Sequence, residues 1–400
     1  MLAGEAMGPM MSRVFNKLDR FSADKEQQLM YSVYDGNLNK VKQLLSAGVN
    51  PNAVGRINNS TALMAASMHG QLEIVHDLLD AGADVNTARA DNGMTSLMWA
   101  CQEGHLEVAR ELLARGANVN VAKKYDGKTS LMFACDKMKL EIVRLLIAAG
   151  ADVNAVQTDN GNTSLMLACG GIYYDIYRAP PINTSVEGAR IDIVRELLAA
   201  GAIVDARTNN GWTAMMVACN KGQLEVARIL LAAGADIDAA LNNGTTSLMH
   251  ACRNGHLEIV SLLLSHNANI NAVETTNGMT PLMHACQQGH LEVVKLLCQS
   301  GVDPNVIDYR GRKAFDYTKD RNIKNFLMEG CDNYLAGGST TGLPTLTNTL
   351  PISLAGATLL GNAVNNISVN TQLLEKGGRR HRTRAKKRKH RSKRRSRVRK

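Results

Sequence analysis

Three pairs of side chains in this sequence carry metal-ligand chemistry at a repeated spacing: Cys101 with His105, Cys252 with His256, and Cys286 with His290. A thiolate and an imidazole held this close are donors that zinc prefers, so the spacing alone would nominate three sites. The neighbouring copies argue otherwise. Gln71, Lys139 and Gln223 stand where the histidines do, in segments that keep the same pattern. The histidine therefore reads as a replaceable helix-start residue, and no metal is expected. Cys101, Cys135, Cys169, Cys219, Cys252 and Cys286 share one repeat position and read as small buried core thiols. Neighbouring helices pack about 8–10 Å apart, too far for disulfides between successive copies.

Other candidate chemistry dissolves in the same way. Polar residues that could form an acid–base pair or a triad occur as repeat elements and not as one unique constellation. No glycine loop with its lysine is present to cradle a phosphate. No catalytic residue, cofactor or small-molecule substrate is expected, and the glycines read as punctuation.

A repeat sets the elements that carry these residues. Thr61, Thr95, Thr129, Thr163, Thr213, Thr246 and Thr280 recur at spacings of 34, 34, 34, 50, 33 and 34, a period that marks stacked structural units. A full unit reads G-M-T-S-L-M-W-A-C-Q-E-G-H-L-E-V-A-R-E-L-L-A-R-G-A-N-V-N from residue 93 and returns from 127, 161, 211, 244 and 278. An earlier copy from about 59, and a shorter one before it, carry the array back toward Glu26. Thr95 stands as an N-cap, and Leu97, Met98, Ala100 and Cys101 give a short first helix its apolar side. Gly104 ends that helix. Leu106, Val108, Ala109, Leu112 and Leu113 then space a second amphipathic helix, with Glu107 near its positive end. Gly116 fits a left-handed C-cap, and the one exchange there, Asn267, is the next residue type able to adopt that conformation.

These G-x-T, A-C, G-x-L-E, L-L and G-A-D-V-N elements resemble the ankyrin repeat, over roughly residues 26–330 in nine copies. The resemblance implies an all-α solenoid of stacked helix-turn-helix units with β-hairpin loops, and a non-enzymatic scaffold that binds proteins. The last copy, around Gly311 to Leu327, has Lys313 and Asp316 where inner copies have Thr and Met, as a solvent-facing cap should. The family's T-P-L-H reads T-S-L-M here, with Met64, Met98, Met132, Met166, Met216, Met249 and Met283 in the histidine place. Flexible apolar packing is expected to replace the inter-repeat hydrogen bonding of that histidine.

Positions the fold does not dictate are available to a partner, and in this family the partner-facing side is the concave surface of hairpin tips and first helices. Carried over copy by copy, this nominates Asp91, Asn92, Met94, Gln102 and Glu103 in the third unit, and Tyr125, Asp126, Lys128, Asp136 and Lys137 in the fourth. The sixth offers Asn209, Asn210, Trp212, Asn220 and Lys221. The seventh and eighth offer Asn242, Asn243, Thr245, Arg253 and Asn254, then Thr276, Asn277, Met279, Gln287 and Gln288. Trp212 is foremost, as a large aromatic at a hairpin place, and reads either as a partner anchor or as packing on a neighbouring turn. The irregular interval is an insertion of 17 residues around 171–188, expected to be a loop; its Tyr173, Tyr174 and Tyr177 read equally as recognition elements or as a solvated insertion.

The formal net charge of +10 belongs to one end of the chain, since 15 of the 46 Lys and Arg lie in residues 377–400, which hold no acid. The remainder has 31 basic against 36 acidic side chains, a net of −5. Residues 1–25 read as an N-terminal extension and 331–376 as a flexible linker, uncharged from 333 to 374. The last 24 residues read as a basic disordered tail: Arg379, Arg380, Arg382, Arg384, Lys386, Lys387, Arg388, Lys389, Arg391, Lys393, Arg394, Arg395, Arg397, Arg399 and Lys400 cannot bury one another and need an acidic partner. The K-K-R-K and R-R-S-R clusters resemble nuclear and nucleolar import signals. The tail equally suits non-specific contact with DNA or RNA, with a steep salt dependence. Its Gly-Gly start and Lys/Arg/His block also resemble tails on proteins of large DNA viruses, which would place the chain in a host cell. The first thirty residues lack a secretory apolar stretch, and no run of eighteen apolar residues occurs anywhere. An intracellular, reducing setting is expected, nuclear or nucleolar in preference to cytoplasmic, with no membrane span.

Overall fold

The computed structural model describes residues 24–56, 59–171 and 184–329. They form eighteen helices in nine consecutive pairs, and no strands beyond isolated bridges. Unit 1 comprises α1 (Lys25–Tyr34) and α2 (Leu38–Ser46), unit 2 α3 (Ala62–Met68) and α4 (Leu72–Asp80), and unit 3 α5 (Ser96–Glu103) and α6 (Leu106–Ala114). Unit 4 follows with α7 (Ser130–Asp136) and α8 (Leu140–Ala148), unit 5 with α9 (Ser164–Ala168) and α10 (Thr184–Ala199), and unit 6 with α11 (Ala214–Lys221) and α12 (Leu224–Ala232). Unit 7 is α13 (Ser247–Asn254) and α14 (Leu257–Ser265), unit 8 α15 (Pro281–Gln288) and α16 (Leu291–Gln299), and unit 9 α17 (Ala314–Tyr317) and α18 (Arg321–Glu329).

The repeated threonine starts each inner first helix as the spacing requires. Its hydroxyl accepts the backbone N–H three residues on, from Thr61 to Met64 at 3.3 Å through to Thr280 and Met283 at 3.3 Å, which satisfies one of the orphan donors of the first turn. The methionine that follows is buried in every inner copy, so the seven side chains from Met64 to Met283 form an apolar row through the core. Second helices bury one stripe, as in α6 with Val108, Ala109 and Leu112. Asn267 has φ of 63°, the left-handed cap conformation that Gly116 adopts at 84°.

The insertion is not wholly a loop. Thr184–Gly188 belong to α10, which starts seven residues ahead of Ile191, the residue in the place of Leu106. Glu187 and Arg190 pair at 3.2 Å one turn apart, and Arg190 Nη1 donates to the Ala168 carbonyl at 2.7 Å. This anchors the added turns to α9. Tyr173, Tyr174 and Tyr177 lie outside the described residues, as do 331–400 with every nominated tail residue.

Candidate functional site

Two rows of side chains hold the units in register and so position the inner face. The asparagine of G-A-D-V-N spans a joint with both arms: Asn86 Nδ2 donates to the Gly116 carbonyl at 3.0 Å while its Oδ1 accepts from Asn118 N at 2.7 Å. Asn52, Asn120 and Asn154 do the same. In Asp205 and Asp238 the donor arm is absent, and only the acceptor contact to Asp236 N or Asn269 N remains. The second row is the helix-start position that mimics a metal ligand. Gln71 Nε2 donates to the Val33 carbonyl (2.8 Å), Gln223 Nε2 to that of Cys169 (2.9 Å), and His105, His256 and His290 place Nε2 at 3.0–3.3 Å from carbonyls at the end of the preceding first helix. An N–H donor of suitable reach serves, which explains why histidine and glutamine exchange there. Gly70 leaves room for this: its φ is 68° and an added Cβ would lie 2.5 Å from the His105 ring.

The hairpin tips form a ladder of their own. Lys124 N donates to the Asn92 carbonyl, Thr158 N to that of Asp126, Thr275 N to that of Asn243, and Tyr309 N to that of Asn277, all at 2.8–3.0 Å. The same four tip residues turn their side-chain oxygens onto the backbone N–H two residues on, those of Met94, Lys128, Thr245 and Met279. Asn92, Asp126, Asn243 and Asn277 are thus half-buried parts of the turn, with little left to offer a partner.

The residue before the repeated threonine was expected at the surface and is a correction. Met94 and Met279 are 3% and 6% exposed and belong to the core, and Thr245 is buried. Lys128 is buried too: its Nζ lies 3.1 Å from Asp136 Oδ2 and 4.8 Å from the Phe133 ring centre. Lys128 thus covers Phe133, the residue ahead of A-C in its own unit. Trp212 occupies the same place and remains half-exposed, its ring 4.4 Å from that of His250 in the next unit. It therefore packs on a neighbouring turn and keeps an open side.

The remaining nominated residues are exposed: Asp91, Glu103, Tyr125, Lys137, Asn209, Asn210, Asn242, Arg253, Asn254, Thr276, Gln287 and Gln288, with Gln102, Asp136, Asn220 and Lys221 half-exposed. Units 6 to 8 bring a subset together. His250 lies beneath Trp212, Arg253 follows one turn on in α13, and Asn254 Nδ2 reaches Asn220 Oδ1 at 2.9 Å, tying α13 to α11. Burial, with Arg253 and His284 nearby, lowers the His250 pKa to about 3. Behind it Glu274 Oε1 meets His284 Nε2 at 3.1 Å and Thr245 Oγ1 at 2.9 Å. Burial alone would raise the pKa of Glu274, but these hydrogen bonds and the imidazole hold it near 2. Sequence reasoning missed this cluster and also Trp99, half-exposed in α5 at the place of Phe133, His250 and His284. The available signal was the change from apolar residues to histidine ahead of A-C in two consecutive units.

The six repeat-position thiols are buried and free, and burial raises all their pKa values, those of Cys169, Cys219 and Cys286 to about 12. Among the described residues no group of three His, Cys, Asp or Glu could hold a metal, and no helix is long and apolar enough to cross a membrane.

The family model for ankyrin repeats, which describes three copies, matches residues 29–123, 118–179, 174–241 and 238–308. The chain belongs to the ankyrin-repeat family, and its array is a protein–protein interaction module. Proteins of this family are typically non-catalytic scaffolds. No curated protein matches the chain.

Proposed function

We propose that the protein is a non-enzymatic adaptor that holds partner proteins against the inner face of its array, while the basic tail directs it to the nucleus or nucleolus by engaging an import receptor. The observation that carries the docking reading is Trp212, a large aromatic held on His250 with one side open, among exposed polar residues that the fold does not need. Such an anchor within a polar rim is the arrangement that concentrates binding energy at interfaces. A second reading rests on the tail's 15 cationic side chains without one acid: there the tail holds DNA or RNA and the repeats position it. Deleting residues 377–400 separates the two. The adaptor retains its protein partners and changes location; loss of every interaction overturns the adaptor reading.

A further inference from the structure

The inner face of units 6 to 8 is selective in charge. From 207–221, 240–254 and 273–288 the sequence supplies a single carboxylate, Glu274, and it is buried against His284 and Thr245. Lys221 and Arg253 form no ion pair among the described residues, and Arg253 is exposed. Four relations join them into one patch: Trp212 stacks on His250, Arg253 stands a turn away, Asn254 bonds Asn220, and Lys221 adjoins Asn220. Exposed amides flank it at Asn209, Asn242, Gln287 and Gln288. Asn209 and Asn242 spend one amide donor on the Asp159 and Asn209 carbonyls, and the donors and acceptors that remain are the complement of a peptide main chain.

We propose that the occupant of this face is an extended, acidic segment of a partner protein. An apolar side chain rests on Trp212 and flanking carboxylates pair with Lys221 and Arg253. The inference rests on the docking reading above and narrows it to one charge class. The chain's own tail has the wrong sign for this face, and two free cations among amides suit a peptide better than a polyphosphate backbone, whose affinity comes from neutralising many charges at once.

The test uses the full chain with Trp99→Phe, the residue type that unit 4 carries at that place, so that indole emission comes from Trp212 alone. Two fluorescent twelve-residue peptides with the same leucines, one with glutamates and one with lysines, are titrated in, with thymidine oligonucleotide as a third probe. The glutamate peptide is expected to change Trp212 emission saturably, and Lys221→Glu with Arg253→Glu to weaken that binding at least tenfold without shifting the thermal midpoint. Binding of the glutamate peptide with unchanged Trp212 emission means capture by the tail and overturns the proposal. An equal response to the lysine peptide, or a response only to the oligonucleotide, overturns the acidic-peptide assignment while leaving the face a docking surface. If no probe moves Trp212, the docking reading falls with it.

Discussion

The inner faces of units 3 and 4 and of units 6 to 8 share one backbone and differ in what is done with charge. In unit 3 Asp91 is held by Arg89 at 2.6 Å. In unit 4 Lys123 pairs with Asp126 at 2.9 Å, and buried Lys128 with Asp136 at 3.1 Å. Charge there is largely consumed within the array. In the inner-face segments of units 6 to 8 the one carboxylate is buried with a histidine, and Lys221 and Arg253 make no ion pair among the described residues. The same hairpin position thus makes a structural ion pair in one region and an anchor in the other. What decides is the partner residue in the adjacent helix, Phe133 and Asp136 in one case and His250 in the other.

The largest effect is expected from Lys128→Ala, which strands half-buried Asp136 and uncovers Phe133; it should cost about 2–4 kcal/mol, read from the denaturant midpoint. Lys128→Met combined with Asp136→Gln copies the Met94 and Gln102 pair of unit 3 and should recover most of that loss. If Lys128→Ala is neutral, the pair is not structural and the contrast between the regions disappears.

Acid should act on the other region. Folded His250 stays neutral down to about pH 3, whereas an unfolded chain titrates it near 6.5, so between those values the unfolded state binds the extra proton. Stability is whole above pH 6.5 and falls by about 1.4 kcal/mol per unit as pH drops below it. Glu274, depressed to about 2, contributes stability above pH 4.5 that is lost below it. His250→Val, the residue unit 6 has at Val217, should flatten the slope between pH 6.5 and 5. Equal slopes by Trp212 emission in both chains would show that His250 is already solvated.

A smaller gain is expected where the asparagine spine lacks its donor. Asp205→Asn restores an arm toward the Gly234 carbonyl and should add about 0.5–1.5 kcal/mol, seen as a higher denaturant midpoint. The smallest stability effect belongs to surface charges: Lys137→Glu and Arg253→Glu should each stay within about 0.5 kcal/mol, and only the second should alter capture of partners.

Much of the fold was legible because the backbone dictates it residue by residue. Threonine caps, left-handed glycines and their asparagine substitute, and helical spacing of Leu, Val and Ala each follow from local geometry. The early start of α10 was also in reach, since Thr184 and Glu187 carry the spacing of a helix start. The face was less legible. Lys128 is covered by Phe133 and Asp136 of its own unit, whereas Trp212 is covered by His250, which lies one unit away in a helix brought alongside by stacking. The helix-start row hid in the same way: Gln71 and His105 read as replaceable helix-start residues until the carbonyls of Val33 and Met68 lie beneath them.

The measurement that bears most directly on the account is proximity labelling in cells with three chains: intact, tail-deleted, and full-length with Lys221→Glu and Arg253→Glu. The account predicts that the inner-face variant loses a defined set of labelled proteins while keeping its location, and that the tail-deleted chain changes location while still binding that set in a pull-down. An unchanged set in the inner-face variant, with the whole set lost on removing the tail, would contradict it.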